Sequence, residues 1–135
     1  MLAFLLAATL PALADEAAAE SCLKSKIWDG YNTGWAVRTE TKATLGQGEH
    51  RIYLVTLYAG NEYKILACGD SEVVNADIVL YDSLGNELMR DSTADREPTV
   101  TYKATATDNF YVAVHATSLQ AADKKAGLAT AVTYK

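Results

Sequence analysis

The chain has 135 residues, of which 50% are apolar and 21% charged, and its formal net charge at pH 7 is −5. This length suits one domain with a single core, and the composition is that of a globular protein. The negative charge excludes the basic surface that binds nucleic acid or anionic lipid. Residues 62–97 hold nine Asp or Glu against three Lys or Arg, a local balance of 3 − 9 = −6. A cation, or a basic patch on a partner, would be attracted to this segment.

Residues 1–14 have the pattern of a secretory signal peptide. The apolar run MLAFLLAATL is broken by Pro11 and followed by a small-x-small cleavage site, Ala-Leu-Ala, at residues 12–14. The run lacks the basic residue that usually precedes it, and it is shorter than the roughly 20 apolar residues that span a bilayer. We therefore expect a periplasmic or secreted protein without a membrane span, whose mature chain begins at Asp15.

The two cysteines, Cys22 and Cys68, are expected to form a disulfide bond, because an oxidising compartment favours pairing. The bond would close a loop of 68 − 22 = 46 residues and stabilise the fold by about 4 kcal/mol. The alternatives are a reactive thiol or a metal ligand. Metal sites usually need more Cys or His at close spacing, and His50 and His115 are isolated in the sequence.

Helical periodicity predicts one N-terminal helix within residues 15–36. An apolar stripe recurs at intervals of four residues: Leu23, Ile27, Tyr31 and Trp35. Gly30 and Gly34 predict that the regular helix ends between Asp29 and Trp35. Because aromatic side chains in such a stripe usually face the core, we expect this stripe to pack on the rest of the protein.

From residue 37 to residue 135 the apolar period changes to two, which is typical of strands. Turn residues divide this region into about eight short strands. The predicted strands are 37–45, 50–58, 62–68, 76–81, 87–90, 99–105, 110–114 and 128–134. The sequence therefore predicts a mainly β fold, an antiparallel β-sandwich that follows one N-terminal α-helix.

Four stretches of this region resemble the bacterial pre-peptidase C-terminal domain, whose elements are aGxxY, DxDLyLyD and sGxYyxxV. They are YAGNEY at 58–63, NADIVLYD at 75–82 with Gly85-Asn86, PTVTY at 98–102 and NFYVAV at 109–114. Two positions depart from the pattern, with Asn75 in place of the first acid and Asn109 in place of the usual Gly. The resemblance implies a jelly-roll-like sandwich, here in a free-standing secreted form without a peptidase. It also implies a binding or accessory module, not a catalyst.

A calcium site is one functional hypothesis. Hard oxygen ligands lie within thirteen residues of one another: Asp70, Glu72, Asn75, Asp77 and Asp82. Calcium takes about six to eight oxygen ligands, and some relatives of the resembled fold bind it. The spacing is not that of an EF-hand, and aspartates in turns are also common because they form Asx-turns. Calcium is the one cofactor that the sequence suggests, with Asp70, Glu72, Asp77 and Asp82 as its ligands.

Exposed aromatic side chains offer a second hypothesis. Tyr81 and Tyr111 are out of phase with the aliphatic residues beside them and should point away from the core. There they could bind a sugar or a protein. The alternative, which we favour, is that they form the seat of the N-terminal helix beneath Trp28 and Trp35, because the helix needs an apolar surface.

Catalysis is not expected, because neither histidine stands in a recognisable triad, nucleophile elbow or HExxH motif. An unfamiliar hydrolase that uses His115 is a distant alternative. The sequence thus predicts a non-catalytic exported accessory or binding domain, whose partner is another exported protein or an envelope polysaccharide and not a nucleic acid. The alternative function is a calcium-dependent carbohydrate- or matrix-binding module.

Overall fold

The computed structural model describes residues 14–135, which form one helix and eight strands. The elements are α1 (Glu16–Tyr31), β1 (Ala36–Gly46), β2 (His50–Leu57), β3 (Glu62–Gly69), β4 (Val73–Tyr81), β5 (Glu87–Asp91), β6 (Thr99–Lys103), β7 (Asp108–Leu119) and β8 (Lys125–Tyr134). The predicted signal peptide, except for Ala14, lies outside the described residues. No helix of the described chain is long and apolar enough to cross a membrane.

The strands form two four-stranded antiparallel sheets. Sheet A has the order β1-β8-β3-β6, and sheet B has the order β2-β7-β4-β5. Successive strands alternate between the two sheets except at the β4–β5 hairpin, which is the strand order of a jelly roll. The predicted antiparallel sandwich is confirmed. The last loop is shorter than predicted, because β7 continues to Leu119 and β8 already begins at Lys125.

The main core lies between the sheets and follows the two-residue period of the strands. Each strand near the centre contributes its inward-facing aliphatic side chains, including Ile65, Ile78, Leu80, Val112 and Leu128, all at most 1% exposed. Full burial of one such side chain contributes about 1.5–3 kcal/mol relative to leaving it exposed. This core therefore fixes the register of both sheets, since a slip of one residue would turn it to solvent.

A second, smaller core lies between α1 and the outer face of sheet A. It consists of mostly small buried residues: Ala19, Leu23, Leu66, Cys68, Ala129 and Ala131. The helix comes so close to β8 that a Cβ at Gly127 would lie 2.6 Å from the carbonyl oxygen of Asp15. The Cys22–Cys68 disulfide, with its Cα atoms 6.0 Å apart, joins α1 to β3 and confirms the predicted pairing.

The prediction that the apolar stripe packs on the rest of the protein is confirmed for Leu23 and Ile27, which lie in or against this second core, and is wrong for Tyr31. Tyr31 is 62% exposed and Trp28 is 68% exposed, and their rings stack on each other at 5.9 Å. The helix ends at Tyr31, and Gly34 then takes a φ of 95°, so Trp35 lies beyond the helix. The small residues of sheet A allow a closer approach of the helix than a row of large rings would.

Candidate binding surface on sheet B

The two outer faces of the sandwich differ in what covers them. The helix α1, the only helix within residues 14–135, packs on β8, β3 and β1, which all belong to sheet A. The outer face of sheet B keeps large apolar side chains in solvent: Leu54 is 63% exposed, Ile52 is 52% exposed and Tyr111 is 38% exposed. This exposed face is therefore the candidate binding surface.

Strand pairing arranges this surface in three rows that each cross β2, β7 and β4. The rows are His50–His115–Asp77, Ile52–Ala113–Val79 and Leu54–Tyr111–Tyr81. We call these nine residues the B face. Ala113 and Val79 are buried and form its floor, whereas the side chains of β2 stand at its rim. The B face is thus apolar over two rows and polar in the third.

Tyr81 and Tyr111 point outward, as their phase predicted, and they are directly opposite each other across β4 and β7. The prediction that they seat α1 is wrong, because the helix lies on the other sheet. Sequence alone could not assign the helix to a sheet, since either sheet offers apolar residues to it. Their role in binding stays a prediction, and their position on the open face supports it.

The polar row brings together the two histidines. His50 on β2 is directly opposite His115 on β7, and their ring centroids are 5.1 Å apart. Asp77 on β4 is the register partner of His115 on its other side. The pKa of His115 is lowered by burial, by the facing His50 and by Arg90, and only Asp77 raises it. Although the two histidines are isolated in the sequence, pairing of β2 with β7 brings them together across 115 − 50 = 65 positions.

The first predicted calcium ligand, Asp70, has a structural role. Its side chain is 4% exposed and accepts three backbone hydrogen bonds. Asp15 N–H and Gly127 N–H donate to Oδ2 at 2.9 and 2.8 Å, and Glu72 N–H donates to Oδ1 at 3.0 Å. One carboxylate thereby ties the start of α1 to β8 and to the β3–β4 turn.

Two of the other predicted ligands, Glu72 and Asp82, also accept hydrogen bonds from the backbone. Ala121 N–H donates to Glu72 Oε1 at 2.8 Å. Asp82 Oδ1 accepts from Leu84 N–H and Asn86 N–H in an Asx-turn. A side-chain hydrogen bond from Asn86, followed by these backbone bonds, lowers the pKa of Asp82. Both carboxylates are therefore engaged in shaping loops.

The structure does not bring the four predicted calcium ligands together, since Asp70 and Glu72 lie in the β3–β4 turn, Asp77 lies on the B face and Asp82 lies in the β4–β5 turn. Within residues 14–135, one set of three possible metal-ligating side chains has its ligand atoms within 4.8 Å of one another, namely Cys22, Cys68 and Glu97. The two cysteine sulfurs are bonded to each other and therefore cannot act as thiolate ligands. Calcium binding stays a prediction that lacks a shared site.

Comparison with known proteins identifies a fold. No family model and no curated protein matches the chain, so the resemblance to the pre-peptidase C-terminal domain stays a prediction. Among solved structures, PliG of Aeromonas hydrophila, a periplasmic inhibitor of g-type lysozyme, matches with a TM-score of 0.55 and 14% identity, over 76% of this chain and 90% of PliG. The shared property is the fold. A de novo designed double-stranded β-helix, solved by NMR, matches with a TM-score of 0.38 and 16% identity, over 72% of this chain and 99% of the design.

Proposed function

We propose that this chain is a non-catalytic exported protein that binds another exported protein through the B face. The observation that carries the proposal is the exposure of Leu54, Ile52 and Tyr111 on one open sheet face while α1 covers the other. Contiguous exposed apolar residues on a soluble protein mark interaction surfaces. The Cys22–Cys68 disulfide and the predicted leader support export.

The chemistry of the B face favours a protein over a polysaccharide. A sugar ring stacks on an aromatic face, but two of the most exposed side chains here, Ile52 and Leu54, are aliphatic. Aliphatic and tyrosine side chains together, with a polar row at the edge, are typical of the centre and rim of a protein interface. The face is also a sheet surface, whereas sites for small molecules are usually concave.

The fold and the charge suggest the first partner to test. PliG, with which this chain shares its fold, is an inhibitor of g-type lysozyme. The net charge of −5 suits a basic partner, since complementary charge accelerates encounter. We therefore propose an exported lysozyme as the partner, with g-type lysozyme as the first enzyme to test.

The experiment compares two exposed apolar residues on opposite sides of the molecule. Leu54→Asp places a charge on the most exposed apolar side chain of the B face, and Trp28→Asp places one on the outer face of α1. We expect the wild-type protein to bind g-type lysozyme and inhibit its hydrolysis of peptidoglycan. We expect Leu54→Asp to weaken binding by roughly 30-fold or more, the loss of one apolar anchor, and Trp28→Asp to leave it unchanged.

Thermal melting of both variants shows whether they fold. Unchanged affinity in a folded Leu54→Asp protein, or a loss confined to Trp28→Asp, would contradict the assignment of the B face. A wild-type protein that neither binds nor inhibits lysozymes would contradict the assignment of the partner.

A further inference from the structure

We propose that His50 and His115 chelate one divalent transition-metal ion at the polar row of the B face, with Asp77 as the carboxylate that orients His115. This inference is independent of the proposed protein partner. It depends on three observations: the two imidazoles are opposite each other, one oxygen of Asp77 is buried without a hydrogen-bond partner in the described chain, and the surface around them is exposed.

The imidazoles have the spacing of a cross-strand chelate. The chain contains only two histidines, and the fold places them directly opposite each other with ring centroids 5.1 Å apart. Side chains opposite each other on an antiparallel pair have Cβ atoms about 4.5–5.5 Å apart. Two imidazole nitrogens that share one ion each lie about 2.0–2.1 Å from it. Rotation of the two rings about their side-chain bonds can bring one nitrogen of each to that distance.

Asp77 provides a second indication. Its Oδ1 atom is buried and has no hydrogen-bond partner within residues 14–135. A buried carboxylate oxygen without a partner is costly, and such a group in a native protein calls for a physical explanation. A histidine that binds a metal through one ring nitrogen almost always donates its other N–H, commonly to a carboxylate. Asp77 is the register partner of His115 and is placed to accept that hydrogen bond.

The charges around the pair set the conditions for binding. His50, Asp77 and Arg90 are the charged or titratable groups that face His115 from β2, β4 and β5. The negative charge of Asp77 favours a cation beside His115, and the positive charge of Arg90 opposes it.

The donor set selects the class of metal. Imidazole ligands suit zinc, copper and nickel, whereas calcium and magnesium prefer oxygen ligands. His50 is exposed, so the remaining coordination positions face solvent and are open to water or to a side chain of a bound protein. The site therefore differs in both residues and metal class from the predicted calcium site.

The test is a titration of untagged, EDTA-treated and dialysed protein with ZnCl₂ and with NiCl₂, followed by calorimetry at about pH 7.5. We expect saturable binding of one ion per chain. His50→Ala and His115→Ala should each weaken it by more than roughly tenfold, and Asp77→Asn should weaken it by roughly 10–100-fold, as is typical when the carboxylate behind a ligating histidine is lost. Glu97→Gln, which changes the carboxylate beside the Cys22–Cys68 disulfide, is the matched control and should bind as the wild-type protein does.

Proton NMR of the wild-type protein tests the site without any substitution. Only two imidazoles contribute signals, and both sets of ring resonances should shift at one equivalent of zinc. Absence of saturable binding, shifts in neither ring, or full affinity in the folded double variant His50→Ala/His115→Ala would overturn the proposal. Acidification to about pH 5.5 should weaken binding, because protons then compete for the imidazoles.

Discussion

The outer face of sheet A is covered by other parts of the chain, whereas the outer face of sheet B is open. On sheet A, a helix, a disulfide and a buried carboxylate close the face. On sheet B, Leu54 and Ile52 remain in solvent beside a pair of histidines. The long-range links of the chain therefore stabilise one face and leave the other exposed to solvent.

Asp70 and Asp77 show this contrast within seven residues of sequence. Asp70 accepts three backbone hydrogen bonds on the side of sheet A and is buried. Asp77 lies on the B face with one oxygen that has no partner within the described chain. We expect Asp70 to stabilise the fold and Asp77 to act in binding.

Asp70→Ala should be the most destabilising change. It leaves one buried and two partly buried N–H groups without an acceptor. Because an unsatisfied group of this kind costs about 1–3 kcal/mol, we expect the free energy of unfolding to fall by about 4–5 kcal/mol. Urea denaturation followed by circular dichroism measures the loss. The matched variant Asp77→Ala should change stability by less than about 0.5–1 kcal/mol. Equal losses in the two variants would show that the two faces do not differ in the way we describe.

Removal of the disulfide should be the next largest effect. Cys22→Ala/Cys68→Ala opens a loop of 46 residues and should lower the free energy of unfolding by about 4 kcal/mol. Because the bond anchors α1 alone, amide hydrogen exchange should rise first in α1 and least in β4 and β7. A uniform rise across the molecule would contradict a local anchoring role.

Acidification should destabilise the protein through His115. Its pKa is lowered in the folded state, by burial and by the facing His50, so the unfolded chain binds a proton more readily. The stabilising contribution is complete above the unfolded pKa of about 6.5 and is lost as the pH falls through that value towards the folded pKa. Melting temperatures measured in EDTA from pH 7.5 to pH 5 should decline less steeply for His115→Gln. An equal decline of the melting temperature with pH in the wild-type protein and in His115→Gln would contradict this role of His115.

Calcium should have the smallest effect. Asp70 and Glu72 already accept backbone hydrogen bonds, and Asp82 closes its own turn. We therefore expect no shift of the melting temperature in millimolar calcium, whereas zinc should raise it. A calcium-dependent rise that is lost in Asp82→Asn would restore the predicted calcium site.

The strands could be predicted from the sequence because alternation of apolar residues reports directly on a half-buried surface. The surface on which the helix packs could not be predicted, because it is made of Ala129, Ala131 and Gly127, whose small size gives little hydrophobic signal. The aromatic residues of the predicted helical stripe gave a stronger signal, which was misleading at Tyr31. The acidic residues that are neighbours in sequence do not form one cluster in the fold, since β4 separates the turn of Asp70 and Glu72 from the turn of Asp82.

The histidine pair could have been partly predicted. His50 is in phase with Ile52 and Leu54, and His115 is in phase with Tyr111, so both were assignable to outward positions of their strands. Their opposition depends on the pairing of β2 with β7, which is a long-range contact that local periodicity does not encode.

The proposed binding surface is tested most directly by mapping the residues that a bound partner covers. In NMR titration of the labelled protein with g-type lysozyme, or with another exported protein shown to bind, we predict that amide signals of β2, β7 and β4 on the B face broaden or shift, while those of α1 do not. Perturbations centred on α1, with the B face unchanged, would contradict the proposal that the open sheet is the binding surface.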